Sequence, residues 1–400
     1  MQPSADDPLP RLSIAERDRR YALVRAAMDS SGLDALIAPA STARWEQTMA
    51  DSRYLTSIGG FGTESLTIFP RSGEVTAYVF NRAAFWRHAQ DWVRDVRDGH
   101  NHWADNIRER LNELGLTRGR IGIAGLSGLT RSPDGVVPAA TLRQLSAAFP
   151  ALEIVDATGL MSQARAIKSD EEIALIQRAT EIAEAMAASL RDLRPGASER
   201  AAYAGLIHTL VSLGGELPAM IILGSGPEVA SGNFVPGARQ LRTGDLIVGE
   251  IEGRYAGYSG QIVRPATLGP PRPAYRELFA IARACFEAVL ETLKAGVSLR
   301  EVMAVYERTI AREGRGELVP AYPLMHARGL GDEYPAVLAP RDLDRLGDVH
   351  LEAGMVFVLK PRAGRIGAAS AQIGDSVVVG KRGGRRLGHQ SLELVEVAWP

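Results

Sequence analysis

The sequence predicts an α+β protein in two parts: a smaller α/β half, then a larger half of long helices and strand hairpins. Three observations carry that reading. The first half alternates helical patterns with short apolar runs between Gly and Pro punctuation. A helix with a complete capping signature opens the second half. Beyond it, long amphipathic stretches are interleaved with strands joined by turn residues. At roughly 100–200 residues per domain, 400 residues suit two domains, which we place at 1–160 and 161–400.

In chain order, Ile14–Ser31 reads as a helix with Tyr21, Val24, Ala27 and Met28 on one face. Asp34–Ala38, Tyr54–Thr56, Leu66–Phe69 and Val75–Val79 are apolar runs of strand length. Trp103–Leu114 reads as a helix ahead of strand Arg120–Ala124. Ser169 is a good N-cap, and Glu172 three residues on completes a capping box. Ile173, Ile176, Ile182, Met186 and Leu190 then recur at helical spacing, and the helix should stop before Pro195-Gly196. Gly244–Glu252 reads as a turn leading into a strand, with Tyr255–Leu268 as its partner. Phe279–Leu293 and Val302–Arg312 read as helices, and Met355–Leu359 and Ile373–Val379 as the last strands. No short solenoid-type repeat is visible.

Composition narrows the function. Hydrophobic residues make up 46% and charged residues 23%, ordinary values for a chain with a sizeable core. A formal net charge of −1 lacks the basic balance that phosphate backbones select for, which argues against nucleic acid as a partner. The single cysteine, Cys285, excludes a disulfide framework within the chain and thiolate-rich zinc sites. It sits in an apolar helical stretch and reads as a small buried hydrophobe. Met1–Pro10 does not read as a signal peptide, and no window approaches the ~20 apolar residues of a bilayer span. We therefore expect a soluble, cytoplasmic protein with no membrane partner.

Several segments look familiar. Ala164–Ile173 runs Ala-Arg-Ala-Ile-Lys-Ser-Asp-Glu-Glu-Ile. Gly244-Asp245-Leu246-Ile247 is followed by Tyr255-Ala256-Gly257-Tyr258 and Arg264. Gly354-Met355-Val356-Phe357 precedes Pro361, and Ile373, Asp375 and Val377–Val379 close the series. In this order and at these distances, with Arg53-Tyr54-Leu55-Thr56 in the first half, the chain resembles the creatinase, aminopeptidase P and prolidase superfamily. The resemblance implies a pita-bread domain at 161–400, preceded by a creatinase-type α/β domain at 1–160. It also implies a homodimer in which one N-terminal domain closes the partner's pocket. Trp45, Arg53, Tyr54 and Phe61 are then candidates to reach that pocket, unless they are ordinary core and loop residues.

Peptidases of that superfamily hold two divalent ions with two aspartates, a histidine and two glutamates. Several anionic oxygens suit such cations, and the ion pair activates a bridging water. Carried over through the flanking motifs, the first aspartate falls on Glu250 and the second on Gln261. The histidine falls on His326. The glutamates fall on Lys360 and Gly374. One ligand is kept, one is altered and three are lost, and an ammonium stands where a cation's ligand should be. Like charges that close repel, so Lys360 opposes a dication. The resemblance thus implies no metal cofactor here. The alternative is manganese, zinc or iron at Glu250 and His326, or a single-metal site using Glu252, Asp332, Glu333 or Asp375.

Creatinase hydrolyses a C–N bond without metal, but its histidine base maps to Asn233 in Ser231-Gly232-Asn233-Phe234. Creatine is thus a doubtful substrate. His326 is a candidate general acid or base. Glu250 is a candidate to orient it or to act itself. Lys360 is a candidate stand-in for the metal, pairing with Glu250 and facing a developing oxyanion. The bland reading of these three is a hydrogen-bonded relic and a structural ion pair. Gln261, Asn233, Tyr258, Arg328, Arg362 and Glu333 are candidate substrate contacts, arginine being suited to carboxylates. Whether Asp332 or Glu333 faces the site is open, because the spacing to Pro335 is one residue short of the family pattern. The preferred function is a metal-independent, creatinase-like hydrolase of an amide or amidino C–N bond in a small polar substrate. The alternatives are an Xaa-Pro metallopeptidase with unusual ligands, a catalytically silent binding homologue, and a lyase acting on a small zwitterion.

Overall fold

The computed structural model describes residues 9–40, 47–99, 102–128, 134–217, 220–227, 235–335, 338–347, 349–364 and 370–399. The fold is α+β. The chain divides into two compact units, residues 1–166 with 330–334, and residues 167–329 with 335–400.

The first unit opens with α1 (Ile14–Ser30), started by the Ser13 hydroxyl, which accepts from Glu16 N at 3.0 Å. It continues through β1 (Ala35–Pro39), α2 (Ala50–Thr56), β2 (Ser65–Pro70), β3 (Thr76–Val79), α3 (Ala83–Ala89) and β4 (Asp95–Asp98). The unit then runs through α4 (Trp103–Glu113), β5 (Gly119–Ile123), α5 (Ala139–Ala148), β6 (Leu152–Asp156) and α6 (Thr158–Ala164). Among the described residues these strands form a six-stranded mixed sheet, ordered β4-β3-β2-β1-β5-β6. One face of the sheet buries Ile37, Ile68 and Ile121 with Ile107, Leu111 and Leu145 from α4 and α5.

Tyr54–Thr56, read from sequence as a strand, belongs to helix α2. A three-residue apolar run carries no period, so neighbours decide its state. Here Tyr54 is fully buried under the Arg20 guanidinium, 4.4 Å above its ring, and Arg20 donates to Tyr54 O at 3.0 Å. The Tyr54 hydroxyl donates to Ala164 O at 3.0 Å. Arg53 is buried as well, whereas Phe61 is exposed at φ 54°. Trp45 lies outside the described residues.

The second unit begins with α7 (Asp170–Ser189), whose capping box is complete. Ser169 Oγ accepts from Glu172 N at 3.2 Å, and Glu172 Oε2 accepts from Ser169 N at 3.0 Å. Helix α8 (Glu199–Ser212) and strands β7 (Gly224–Gly226), β8 (Leu246–Val248), β9 (Ile251–Tyr255), β10 (Tyr258–Ile262) and β11 (Ala266–Leu268) follow. Next come α9 (Pro273–Thr292), α10 (Leu299–Glu313), β12 (Met325–Ala327), α11 (Pro340–Leu346) and β13 (Val356–Leu359). The chain ends with β14 (Arg362–Gly364), β15 (Ser370–Gln372), β16 (Asp375–Val378), β17 (Arg385–Arg386) and β18 (Val395–Val397).

Hairpin β9–β10 lies on α7. Its turn residues Ala256 and Gly257 have φ 51° and 81°, the two positive values that let a two-residue turn follow the strand twist. Gly253 and Gly260 face each other across the ladder. A Cβ on Gly253 would collide with Ala179 O, and one on Gly260 with Thr180 N. Glycine is required at both because two backbones meet there.

The segments read as single strands each split in two. Strand β8 pairs with β7 and β11, whereas β9 pairs with β10. The break falls at Gly249-Glu250, where a Cβ on Gly249 would run into Ile222 O and Glu250 O accepts from Ile222 N at 2.9 Å. On the partner side the break falls at Pro265, which has no N–H for a ladder. Glu250 therefore stands at the crossing between two sheets.

Candidate active site

Glu250 leaves that crossing beside Lys360, the residue after β13. Lys360 Nζ lies 2.7 Å from each of the two Glu250 carboxylate oxygens. Gln261, on β10, donates its amide to Glu250 Oε2 at 2.6 Å. Its own backbone is held by Ser376, which accepts from Gln261 N at 2.9 Å and donates to Gln261 O at 3.1 Å. Burial opposes the charge on Glu250. The Lys360 ammonium, its hydrogen bonds, the Gln261 amide and Arg362 outweigh that and hold the carboxyl below its ordinary value.

Strand register places His326 on this side. His326 pairs with Val358, and Lys360 N donates to Leu324 O at 2.7 Å, extending the same ladder. With a period of two, His326 and Lys360 share one face of the sheet. His326 is buried.

Lys360, just past β13, stands opposite Gly374 on the lead-in to β16. A Cβ on Gly374 would lie 2.9 Å from Lys360 Cβ. The missing side chain at 374 thus makes room for the lysine stem.

The other candidates separate. Arg328 is buried against Glu252 in an ion pair, and Met220 N donates to Glu252 at 3.4 Å. Glu252 therefore serves Arg328, although it shares strand parity with Glu250. The Tyr258 hydroxyl donates to Glu172 Oε1 at 2.9 Å, tying the hairpin to the start of α7. Glu333 belongs to the first unit, 2.7 Å from Arg165, which also meets Asp51 at 2.9 Å. Asn233 lies outside the described residues. Arg362, on β14, donates to Gln372 Oε1 at 3.3 Å, and Gln372 Nε2 donates to Lys360 O at 3.1 Å. Gln372 so holds the arginine beside the lysine. Burial pulls Arg362 below its ordinary value, and Glu250 opposes this.

Sequence reading missed Ser376 and Gln372, which no motif marks. It also missed the network on Asp375, which accepts from Arg264 at 2.9 Å, from Arg386 at 2.9 Å and from Gly388 N at 3.2 Å. Arg264 additionally donates to Gly374 O. Cys285 is fully buried, and burial pushes its thiol up to about 12.

Among the described residues, no three His, Cys, Asp or Glu side chains stand close enough to hold a metal ion. The donor set does not fit a pair of dications. Glu250 offers the one carboxylate at the mapped positions, and an ammonium already occupies both of its oxygens.

A hairpin seated on a long capped helix, with a second sheet closing over it, defines a pita-bread domain behind a creatinase-type α/β domain. Residues 174–381 match the family described as metallopeptidase family M24, and residues 20–167 match the creatinase/prolidase N-terminal domain. The chain belongs to metallopeptidase family M24. Over 234 residues it is 29% identical to a protein of Pyrococcus horikoshii named Xaa-Pro dipeptidase, covering 58% of this chain and 65% of that one. It is 27% identical over 268 residues to a probable dipeptidase PepE of Mycobacterium bovis, covering 65% and 68%. The chain thus spans about 65% of the length of the first curated relative it matches. In fold it is similar to an X-Pro aminopeptidase of Thermotoga maritima, with a TM-score of 0.77 at 22% identity over 94% of this chain and 99% of that one. It is also similar to a dipeptidase PepE of Mycobacterium ulcerans, with a TM-score of 0.74 at 24% identity over 97% and 100%.

Proposed function

We propose that this chain hydrolyses a C–N bond in a small polar molecule without a metal ion. One observation carries the reading: Lys360 Nζ stands 2.7 Å from both oxygens of Glu250, at the positions mapped to metal ligands. Membership of a peptidase family and relatives named as dipeptidases support the hydrolase class. Lys360 supplies the fixed positive charge that stabilises an oxyanion forming on the substrate carbon. Glu250 and Gln261 hold that ammonium in place. His326, on the same sheet face, takes a proton from water as the water oxygen bonds to the carbon. It returns the proton to nitrogen as the C–N bond breaks. No membrane partner is invoked: among the described residues no helix is long and apolar enough to cross a membrane.

Protein purified without added metal, assayed on small amides, amidines and Xaa-Pro dipeptides, tests this. Turnover insensitive to chelator, lost in Lys360→Met and showing a pH limb near neutrality that disappears in His326→Gln, is the expected result. Stoichiometric manganese, zinc or iron, with activity that falls on chelation, would restore the metallopeptidase reading. A second reading, a binding protein without turnover, is favoured by one feature: both Glu250 oxygens are already engaged by protein groups. It predicts ligand binding with no product.

A further inference from the structure

We infer that the cluster around Glu250 selects small anionic secondary amides, molecules with one carboxylate and an N–H on the nitrogen of the scissile bond. This rests on the hydrolase reading above and names its substrate class. Two independent observations carry it.

The first is Gln261. A carboxylate only accepts hydrogen bonds, so the Gln261 NH2 must face Glu250 and its Oε1 must point the other way. Gln261 is fully buried, and among the described residues its Oε1 has no hydrogen-bond partner. A buried acceptor left without a donor is costly, and a ligand N–H beside Lys360 and Glu250 satisfies it. A proline imide nitrogen carries no hydrogen and cannot. This sets the chain apart from relatives whose names specify Xaa-Pro.

The second is the charge left over. Lys360 is met by Glu250, and Arg328 by Glu252. Arg264 and Arg386 are met by Asp375, with Glu184 at 4.0 Å from both. Arg362 is different. Among the described residues it makes one side-chain hydrogen bond, to the neutral Gln372, and its Nε is buried without a partner. It sits half-buried beside Lys360, and among the described residues no acid lies within ion-pair distance of it, Glu250 acting on it only from farther away. A planar guanidinium with donors to spare takes a carboxylate in a bidentate grip.

The test is calorimetric and does not depend on turnover. Full-length protein is titrated with N-acetylglycine, with N-acetylsarcosine, which lacks the N–H, and with N-acetylglycinamide, which lacks the carboxylate. The expected result is millimolar or tighter binding of N-acetylglycine, weakened at least about tenfold by either change. In Arg362→Met the acid and its amide should bind alike, and in Gln261→Leu the N-methyl penalty should vanish. Equal binding of N-acetylglycine and N-acetylsarcosine by the unaltered protein would overturn the inference, as would no binding of any probe. These outcomes need no variant to fold. Binding selectivity without product retains the substrate class and removes the hydrolase reading. Turnover of Xaa-Pro dipeptides with no preference for an N–H does the reverse.

Discussion

Replacing Lys360 with Met keeps most of the stem's volume and removes the ammonium, with its charge and its two hydrogen bonds to Glu250. Its side chain is 4% exposed and that of Glu250 is 17% exposed, so the pair is largely desolvated. Breaking a buried pair by removing one partner costs about 3–5 kcal/mol, because the other charge stays behind. Glu250 keeps the Gln261 bond and some solvent, which lowers the expectation to about 2–3 kcal/mol. For a unit of this size that is a fall in Tm of about 4–12 °C. The pH dependence makes the prediction specific. In the unaltered protein the Glu250 carboxyl is held below its unfolded value of about 4.3. Its contribution to stability is complete above that value and is lost as pH falls through the folded one. In Lys360→Met burial is the leading influence and pushes the carboxyl up. Stability then declines as pH rises from about 4.3 toward the new value. The gap between the two proteins should therefore be widest near neutrality and close on acidification. Adding Glu250→Gln to the lysine variant should recover most of the loss. Urea unfolding across pH 4 to 8, as the handled range, measures all three proteins. A gap that does not change with pH, or no gap, would show that the pair carries no coupled charge and refute the argument.

Three further outcomes follow from the packing. Gly260→Ala should destabilise by about 1–3 kcal/mol, because the new methyl meets the α7 backbone at Thr180, which cannot rotate away. A thermal melt unchanged from the parent would contradict it. Ser169→Ala should cost about 1 kcal/mol through the broken capping box, with amide exchange quickening first at the start of α7. Arg165→Met should cost about 3–5 kcal/mol by stranding the largely covered Asp51 and the buried Glu333. Because burial already raises the Asp51 carboxyl, that variant should regain stability as pH falls, a trend chemical denaturation at two pH values would detect.

Local signals were legible wherever a rule of short range decides the structure. Ser169 and Glu172 marked a helix start that the structure reproduces atom for atom, because a cap is built from residues three apart. The hairpin that carries Gln261 was legible too, but its turn was read ahead of Tyr255, whereas the chain turns at Ala256-Gly257 and Tyr255 ends the first strand. Tyr54–Thr56 and the broken strands at Gly249 and Pro265 were misread because no local pattern records which backbone passes nearby. The motifs led to Glu250, Lys360 and Gln261, and the structure brings those three together. Arg328 was nominated because it flanks His326, and Tyr258 and Glu333 through the family resemblance; their partners, Glu252, Glu172 and Arg165, lie far away in sequence.

By itself, then, the sequence determined the fold family, the hairpin and the absence of a carboxylate at 261, 360 and 374, positions the resemblance maps to metal ligands. Those are properties of residue type and spacing. Only the tertiary structure decided where each remaining group finds a partner: the ammonium on Glu250 and, among the described residues, a guanidinium at 362 bonded only to neutral Gln372 and a Gln261 oxygen with no donor. Hydrogen bonds and ion pairs act over a few ångströms of space. Residues 250, 261 and 360 become neighbours only when two sheets close over one helix.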